Sequence, residues 1–182
     1  MSLSLRPSTA VAAGLLSLAS AALCQLVAPA VASTDCASPD LARRALLAVN
    51  AQRAAGAQCG ALTLIAAPAL AWSLPAERAA AAHAQDMAGQ GRMGHLGSDG
   101  SQGGERLRRE GYVWASWGEN LGQGHGEPSL LVAHWMSSPG HCANLMNPRL
   151  TDLGMACRQG PDGRPYWALT LARPAPLRAP AR

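Results

Sequence analysis

Apolar residues recur at helical spacing in several stretches of the chain, and proline or glycine marks where most of these stretches begin or end. The first stretch starts at Ser38-Pro39, with Ser38 as the expected N-cap, and Gly56 stops it. Within this stretch Asn50 and Arg53 lie one helical turn apart, so both side chains can reach the same neighbouring loop. The pattern predicts helices at 39–55, 75–87 and 102–110, another that begins at Pro128, and a helical turn at 142–146.

Alternation of apolar and polar residues predicts strands, mostly in the second half of the chain. One of these strands carries Glu119. Two later strands, 152–158 and 166–171, are separated by the turn Pro161-Asp162-Gly163, so we expect them to pair as antiparallel neighbours. A shorter extended piece is expected at 62–65.

The first 32 residues have the composition of a secretory signal peptide. Arg6 supplies the positive charge, an apolar run follows from Ala10 to Val27, and Ala30-Val31-Ala32 is a cleavage site of the A-x-A type. We therefore expect cleavage after Ala32 and export, so that the protein is secreted or periplasmic. No stable membrane span is expected once this segment has been removed.

Charge is balanced within residues 33–172. Four of the fifteen arginines lie outside that range, so eleven arginines face eleven aspartates and glutamates inside it. The basic isoelectric point of about 9.1 therefore comes from the chain ends. A nucleic-acid-binding face needs a clustered excess of positive charge, so this class of partner is excluded. Residues 173–182, rich in Arg and Pro, are expected to form a disordered tail, which leaves 33–172 as the folded domain.

Three short runs hold the residues best suited to metal binding or proton transfer. They are Met93-Gly94-His95, Gly118-Glu119-Asn120 and Ser138-Pro139-Gly140-His141. In each run one imidazole or carboxylate stands beside glycine, which lets the backbone turn sharply. The other histidines have simpler interpretations: His83 is expected at the edge of the core with a hydrogen bond, and His125 in solvent on a glycine-rich loop.

A longer series of motifs contains these runs. In chain order it comprises Asn50-x-x-Arg53, the His95 loop with Ser98-Asp99-Gly100, Gly111-Tyr112, Gly118-Glu119-Asn120-Leu121, Trp135-Met136-x-Ser138-x-Gly140-His141 with Asn144-Leu145-Met146, and Tyr166-Trp167. Together these motifs resemble the CAP superfamily, which includes cysteine-rich secretory proteins, venom antigens, plant pathogenesis-related proteins and bacterial relatives. The resemblance covers Leu41 to Leu171, and it depends on the order of the motifs, since each motif alone is weak.

The resemblance implies an α+β fold, a three-layer α–β–α sandwich around a small, mainly antiparallel sheet. It also implies a cleft lined by two histidines and two acids. His95, Glu119 and His141 match three of these positions directly. The fourth position is open between Asp99 and Glu105. The family often has a Glu a few residues after the first histidine, where this chain has Asp99, so Asp99 is preferred although its side chain is shorter.

His95, His141 and Glu119 have the composition of an open zinc site, in which water completes the coordination. Such a metal would lower the pKa of its bound water and polarise a carbonyl group. Without metal, the same residues form a hydrogen-bonded cluster that fixes the cleft. The sequence contains no GxSxG nucleophile elbow, and disulfides would consume the remaining thiols, which argues against covalent catalysis.

Two functions are therefore carried forward as hypotheses. The first is an exported binding module whose cleft takes a small lipid, a glycan or a cell-wall fragment, with zinc as an optional cofactor. The second is a metal-dependent hydrolase that acts on an envelope peptide or ester. The family is known mainly for binding and signalling, which favours the first hypothesis.

Cleavage of the signal peptide would remove one cysteine and leave four, an even number that favours disulfides in an exported protein. We expect a Cys36–Cys59 bridge, for which the loops that flank the first helix must fold back. We also expect a Cys142–Cys157 bridge, because the chain between them can double back easily. The second bridge would tether the segment after His141 to the sheet.

Overall fold

The computed structural model describes Cys36, Ser38 and residues 40–176. The predicted signal peptide, 1–32, and its cleavage site lie outside these residues, as do 177–182. No helix among the described residues has the length and apolar character needed to cross a membrane. The described elements are, in chain order, α1 (Leu41–Ala55), β1 (Ala57–Cys59), β2 (Leu62–Leu64), β3 (Ala71–Trp72), α2 (Leu74–Gln90), α3 (Gly103–Arg109), β4 (Trp114–Gln123), α4 (Pro128–Met136), α5 (Pro139–Met146), β5 (Asp152–Gln159) and β6 (Pro165–Pro174).

Strands β3, β5, β6 and β4 lie side by side in that order and form the main sheet. β6 runs antiparallel to both of its neighbours, whereas the two-residue β3 runs parallel to β5. β1 and β2 form a separate antiparallel hairpin. The antiparallel pairing predicted for 152–158 and 166–171 is therefore confirmed.

Helices pack on both faces of the main sheet because β5 and β6 alternate their buried side chains between two cores. Leu153, Met155 and Leu169 share one core with side chains of α1, α4 and α5. Ala156 and Ala168 belong to another core, together with alanines of α2. The predicted α–β–α sandwich with a mainly antiparallel sheet is thus confirmed.

Gly154 of β5 is the point of closest approach between the sheet and α2. A Cβ atom at this position would lie 2.0 Å from the backbone nitrogen of Glu77 and 2.2 Å from the carbonyl carbon of Ala76. Any larger residue would push α2 away from the sheet. This contact fixes the position of α2, the helix that carries His83.

Asn50 and Arg53 on α1 hold the loop between β2 and β3. The Asn50 amide donates to Leu70 O at 3.0 Å and accepts from Leu70 N at 2.8 Å. Arg53, fully buried, donates to Pro68 O at 2.7 Å and to Leu145 O of α5 at 2.6 Å. The prediction that both side chains reach one loop is confirmed, and Arg53 also binds the end of α5.

Several predicted boundaries differ from the structure, among them the start of the first helix and the end of the last strand. α1 begins at Leu41, with Asp40 at the N-cap, so the expected cap at Ser38-Pro39 is wrong. β6 continues to Pro174 because it keeps pairing with β4 beyond residue 172. The sheet therefore extends into the first two residues of the predicted disordered tail, 173–182.

The predicted disulfide pairing is wrong. The bridges are Cys36–Cys157 and Cys59–Cys142, with Cα–Cα distances of 5.0 and 5.5 Å. Cys59 and Cys142 are buried together with Met146 where the β1–β2 hairpin meets α5. Cys157 belongs to the core on the α1 side of the sheet, and Cys36 packs against that core. The layer on which each cysteine lies decides the pairing, and α5 is tethered to the hairpin instead of the sheet.

Candidate functional site

A cleft of about 710 Å³ opens between the His95 loop, the residues that lead into α3, strand β4 and the start of α5. This volume is typical of sites for small organic ligands. The cleft brings together His95, Glu119 and His141, three of the four residues expected at the site. Its complete lining is His95, Leu96, Gln102, Gly103, Trp117, Gly118, Glu119, Ser138, Gly140, His141 and Asn144.

Glu119 on β4 orients the imidazole of His95. The His95 side chain is 64% exposed on its loop, whereas the Glu119 side chain is only 3% exposed. Because a carboxylate only accepts hydrogen bonds, Nδ1–H of His95 donates to Oε1 of Glu119, at 2.8 Å. In the neutral imidazole this leaves Nε2 as the nitrogen with the lone pair.

Arg106 on α3 holds the other side of the same carboxylate, and sequence reasoning missed it. Its Nη2 donates to Oε2 of Glu119 at 2.7 Å and to the backbone oxygen of His95 at 3.1 Å. Its Nη1 donates to the backbone oxygen of Ser101 at 2.7 Å. The buried guanidinium therefore joins β4, the His95 loop and the start of α3. A short helix rich in charged residues is typical of a solvated surface, so its sequence gives no sign that one of its arginines is buried.

These contacts set the charge of the site. Burial raises the pKa of Glu119, but the hydrogen bond from His95 and the charge and hydrogen bond of Arg106 outweigh burial, so the pKa lies below its ordinary value. The hydrogen bond to Glu119 in turn raises the pKa of His95, although burial acts against it. Glu119 is therefore ionised, and His95 holds a proton more readily than a free histidine.

His141 lies within the first turn of α5, whereas the sequence predicted only a helical turn at 142–146 that begins after it. Asn120 of β4 donates to the backbone oxygen of His141 at 3.1 Å, and Asn144 donates to Oδ1 of Asn120 at 3.0 Å. Burial lowers the pKa of His141, and the nearby charges of His95 and His134 lower it further. The cleft thus presents one imidazole that favours a proton and one that favours the neutral form.

Neither residue considered for the fourth acid lines the cleft, so that expectation is corrected. Asp99 forms an exposed ion pair with Arg109 at 2.5 Å, and its Oδ1 accepts from the Ser101 amide at 2.9 Å. These hydrogen bonds, from Ser101 first and then Arg109, hold the pKa of Asp99 below its usual range. Glu105 accepts from the backbone amide of Gln102 at 2.8 Å and so caps α3. The cleft presents the neutral side chain of Gln102 on this side.

His83 on α2 is a buried, neutral side chain next to Glu119. Its Nε2–H donates to the backbone oxygen of Gly94 at 2.9 Å, and the same nitrogen lies 3.9 Å from Oε1 of Glu119. Burial lowers the pKa of His83. The prediction of a core-edge histidine with a hydrogen bond is confirmed, and that bond anchors the loop just before His95.

The described residues contain no group of three or more His, Cys, Asp or Glu side chains placed to hold a metal ion. Glu119 shows why, since His95 takes one of its carboxylate oxygens and Arg106 takes the other. The guanidinium also adds positive charge where a cation would approach. As arranged, the set His95, His141 and Glu119 does not fit a three-ligand zinc centre. Metal binding by the two imidazoles alone stays a prediction.

Comparison with known families decides the classification. A family model described as "CAP: Cysteine-rich secretory protein family" matches residues 46–171. The chain belongs to this family. The matched range contains His95, Glu119, His141 and Arg106, so the cleft lies wholly within the CAP domain, and the resemblance found in the sequence is confirmed.

One curated relative shares sequence with part of this CAP domain. It is the uncharacterized protein YkwD of Bacillus subtilis (strain 168), 30% identical over 78 residues. The shared segment covers 43% of this chain and 30% of YkwD. The chain therefore corresponds to less than a third of that relative's length.

Solved structures share the fold. An extracellular protein containing a SCP domain from Bacillus anthracis is 27% identical with a TM-score of 0.53, over 59% of this chain and 34% of that chain. An outer surface protein from Borrelia burgdorferi is 18% identical with a TM-score of 0.55, over 60% of this chain and 80% of that one. At such low identity the second likeness shows the fold alone.

Proposed function

We propose that this CAP domain is exported and that its cleft binds a small ligand from the cell envelope: a lipid, a glycan or a cell-wall fragment. The observation that carries the proposal is the cleft of about 710 Å³, in which His95, Glu119 and His141 converge. Arg106 and Asn120 hold these residues from behind through hydrogen bonds within the protein. A site ordered before the ligand arrives loses less conformational entropy on binding, which favours affinity.

Export is supported by the chain itself and by a relative. Two disulfides connect distant parts of the described residues, and such bridges persist in oxidising compartments outside the cytosol. Residues 1–32 have the composition of a signal peptide. The similar protein from Bacillus anthracis is called an extracellular protein.

Binding is preferred to metal-dependent hydrolysis of an envelope peptide or ester. Catalytic zinc sites usually have three protein ligands, and Glu119 is committed to His95 and Arg106. What remains is a pair of imidazoles that can donate or accept hydrogen bonds or exchange a proton with a bound molecule. These are properties of a recognition site.

Filling the cleft tests the proposed function. Gly140 lines the cleft, and a Cβ atom there would meet no atom within 4 Å, so Gly140→Phe places a ring in the opening without a clash at its base. Gly89 on α2 is also helical and exposed and has the same free space, so Gly89→Phe is the matched control. Phenylalanine raises helix propensity over glycine at both positions.

The panel contains decanoate, cellobiose and a peptidoglycan disaccharide–tetrapeptide. Each is titrated calorimetrically up to about 10 mM, a concentration that detects ligands whose binding free energy is only a few kcal/mol. We expect at least one of the three to bind the wild type and Gly89→Phe equally, and Gly140→Phe at least tenfold more weakly. If none binds the wild type, or if Gly140→Phe binds as well as the control, the proposed function is wrong.

A zinc titration separates the optional cofactor from the binding site. Since neutral imidazole is the ligand form, zinc affinity should fall as pH drops through the histidine range near 6.5. His95→Ala and His141→Ala, each checked for folding by circular dichroism, should both weaken zinc binding. Unchanged affinity in both variants would place any metal elsewhere in the protein.

A further inference from the structure

Trp117 is the one aromatic side chain among the described residues that line the cleft, and the structure fixes its indole from two sides. The helix α3 begins with two glycines whose missing side chains leave room for it. A Cβ atom on Gly103 would lie 2.7 Å from Cζ3 of Trp117, and one on Gly104 would lie 2.6 Å from its Nε1. The indole therefore rests directly on the backbone of the first turn of α3.

A second indole, that of Trp114, packs against Trp117. Trp114 meets it edge to face, with ring centroids 6.2 Å apart and an interplanar angle of 68°. Trp114 is itself anchored, since its Nε1–H donates to the backbone oxygen of Gly104 at 2.7 Å and the guanidinium of Arg108 lies 4.5 Å from its ring centroid. Trp114 does not line the cleft. The pair thus makes Trp117 a rigid aromatic surface at the wall of the site.

Neutral hydrogen-bonding side chains surround this surface. The Asn144 amide donates to the backbone oxygen of Glu119 at 3.2 Å and to Oδ1 of Asn120 at 3.0 Å. Both of its N–H groups are therefore engaged, and its oxygen stays available to accept from a ligand hydroxyl. Gln102 and Ser138 add an amide and a hydroxyl to the lining.

The carboxylate of the site is paired within the protein, so it leaves no free negative charge to attract a cationic ligand. Glu119 is the one carboxylate among the described lining residues, and Arg106 pairs with it at 2.7 Å. An acyl chain, by contrast, gains free energy in proportion to the apolar surface that covers it. Apart from glycines, Leu96 and Trp117 are the apolar members of the lining, and the other side chains are polar.

Given the proposed function, we infer that the ligand of this cleft is a neutral saccharide, with one sugar ring lying against the indole of Trp117. The C–H groups on one side of a sugar ring are electropositive and suit the negative face of an aromatic ring. The hydroxyl groups around the ring edge both donate and accept, which matches Asn144, Gln102, Ser138 and the imidazoles. Small polar ligands are commonly recognised by such a combination of one apolar surface and a few placed polar groups.

The test follows the indole N–H signals of the ¹⁵N-labelled wild type while N,N′-diacetylchitobiose or cellobiose is added. We expect the Trp117 signal to move in a saturable manner. Trp135 and Trp167 serve as internal references, because their indole N–H groups are buried and donate to Leu121 O and His125 O. Trp117→Leu should weaken binding of the disaccharide at least tenfold, and Trp114→Leu should weaken it no more than threefold.

Each alternative outcome has a distinct meaning. If decanoate binds the wild type, Gly140→Phe weakens that binding and neither disaccharide binds, the proposed function stands and the saccharide inference is wrong. If a disaccharide binds but Trp117→Leu, folded by circular dichroism, retains its affinity, the inference is also wrong. Should Trp117→Leu fail to fold, the wild-type signals decide: disaccharide binding that leaves the Trp117 signal in place contradicts the inference.

Discussion

Two arginines on α3, three residues apart, show that the contribution of an ion pair to stability depends on its burial. Arg106 is buried and meets the buried carboxylate of Glu119 at 2.7 Å. Arg109 meets Asp99 at 2.5 Å, but both side chains are about half exposed. Solvent screens the second pair, whereas breaking the first leaves a carboxylate in the interior without its arginine partner.

Replacing each arginine by glutamine tests this difference. Arg106→Gln should lower the free energy of unfolding by about 3 kcal/mol, since a buried charge loses its counter-ion. Arg109→Gln is the matched control on the same helix and should change stability little. Urea denaturation at neutral pH measures both. Equal effects of the two substitutions would contradict the assignment of Arg106 as the buried support of Glu119.

The two cleft histidines should titrate in a fixed order. The hydrogen bond to Glu119 raises the pKa of His95 above about 6.5, and burial lowers the pKa of His141 below it. Removing the carboxylate charge with Glu119→Gln should bring the pKa of His95 down, because burial and Arg106 then act unopposed. Imidazole NMR signals recorded against pH measure both values. A His141 that titrates above His95 in the wild type would contradict the electrostatic account.

The same shift has a defined consequence for stability. Because the pKa of His95 is higher in the folded state than in the unfolded state, its contribution is fully present below the unfolded value. The contribution is lost as pH rises through the folded-state pKa. Glu119 acts in the opposite sense: its lowered pKa gives stability above the unfolded value, and this is lost as pH falls through the folded value.

At the level of residues, the sequence predicted the side chains that belong to recognisable motifs. It missed those whose position depends on how the chain packs. His95, Glu119 and His141 each stand in a recognisable run, and all three line the cleft. Arg106 is surrounded by other charged residues, a pattern typical of solvated helices, and only the folded chain shows that it points inward. Asp99 has suitable chemistry and spacing, but it pairs with Arg109 on the surface and does not line the cleft.

At the level of elements, α5 is attached to the rest of the protein at three places. The Cys59–Cys142 bridge ties its first half to the β1–β2 hairpin. Asn120 of β4 binds the backbone of His141, and Arg53 of α1 binds the backbone near its end. Three separate elements therefore set the position of a helix only eight residues long.

Replacing both Cys59 and Cys142 by serine should loosen this helix. In the chain-entropy model a bridge that closes a loop of 83 residues contributes roughly 4 kcal/mol, so stability should fall by up to that amount. Amide hydrogen exchange in α5 should also become faster. Cys36→Ser with Cys157→Ser is the matched control, since it also opens a long loop but leaves α5 tethered. Equal exchange rates in α5 for the two double variants would contradict the role of the bridge in holding His141.

For the whole molecule, spacing of apolar residues was enough to predict most elements, whereas the fold class was predicted from the resemblance to the CAP superfamily. The β5–β6 pair and the main helices follow directly from periodicities near two and near 3.6 residues. The strands β1 and β3, three and two residues long, are too short to show a period. Disulfide pairing was out of reach for another reason, because Cys36 and Cys157 meet only once the layers have stacked.

Proposed export predicts where the mature chain begins. We expect the mature protein to begin at Ser33, because Ala30-Val31-Ala32 precedes it as a signal-peptidase site, or at Val31 if the upstream Ala28-Pro29-Ala30 is used. Intact mass spectrometry of protein recovered from outside the cytoplasm measures the N-terminus. Recovery of a chain that keeps Met1 would contradict export by cleavage.

The central claim is that one cleft of the CAP domain, held by Glu119 and Arg106, is where its ligand binds. The most direct measurement uses the five histidines as a built-in map, by recording imidazole NMR signals of the wild type as the peptidoglycan disaccharide–tetrapeptide is added. The account predicts saturable changes at His95 and His141, with His125 and His134 unchanged. Saturable changes at His125 and His134 with constant His95 and His141 signals would contradict it.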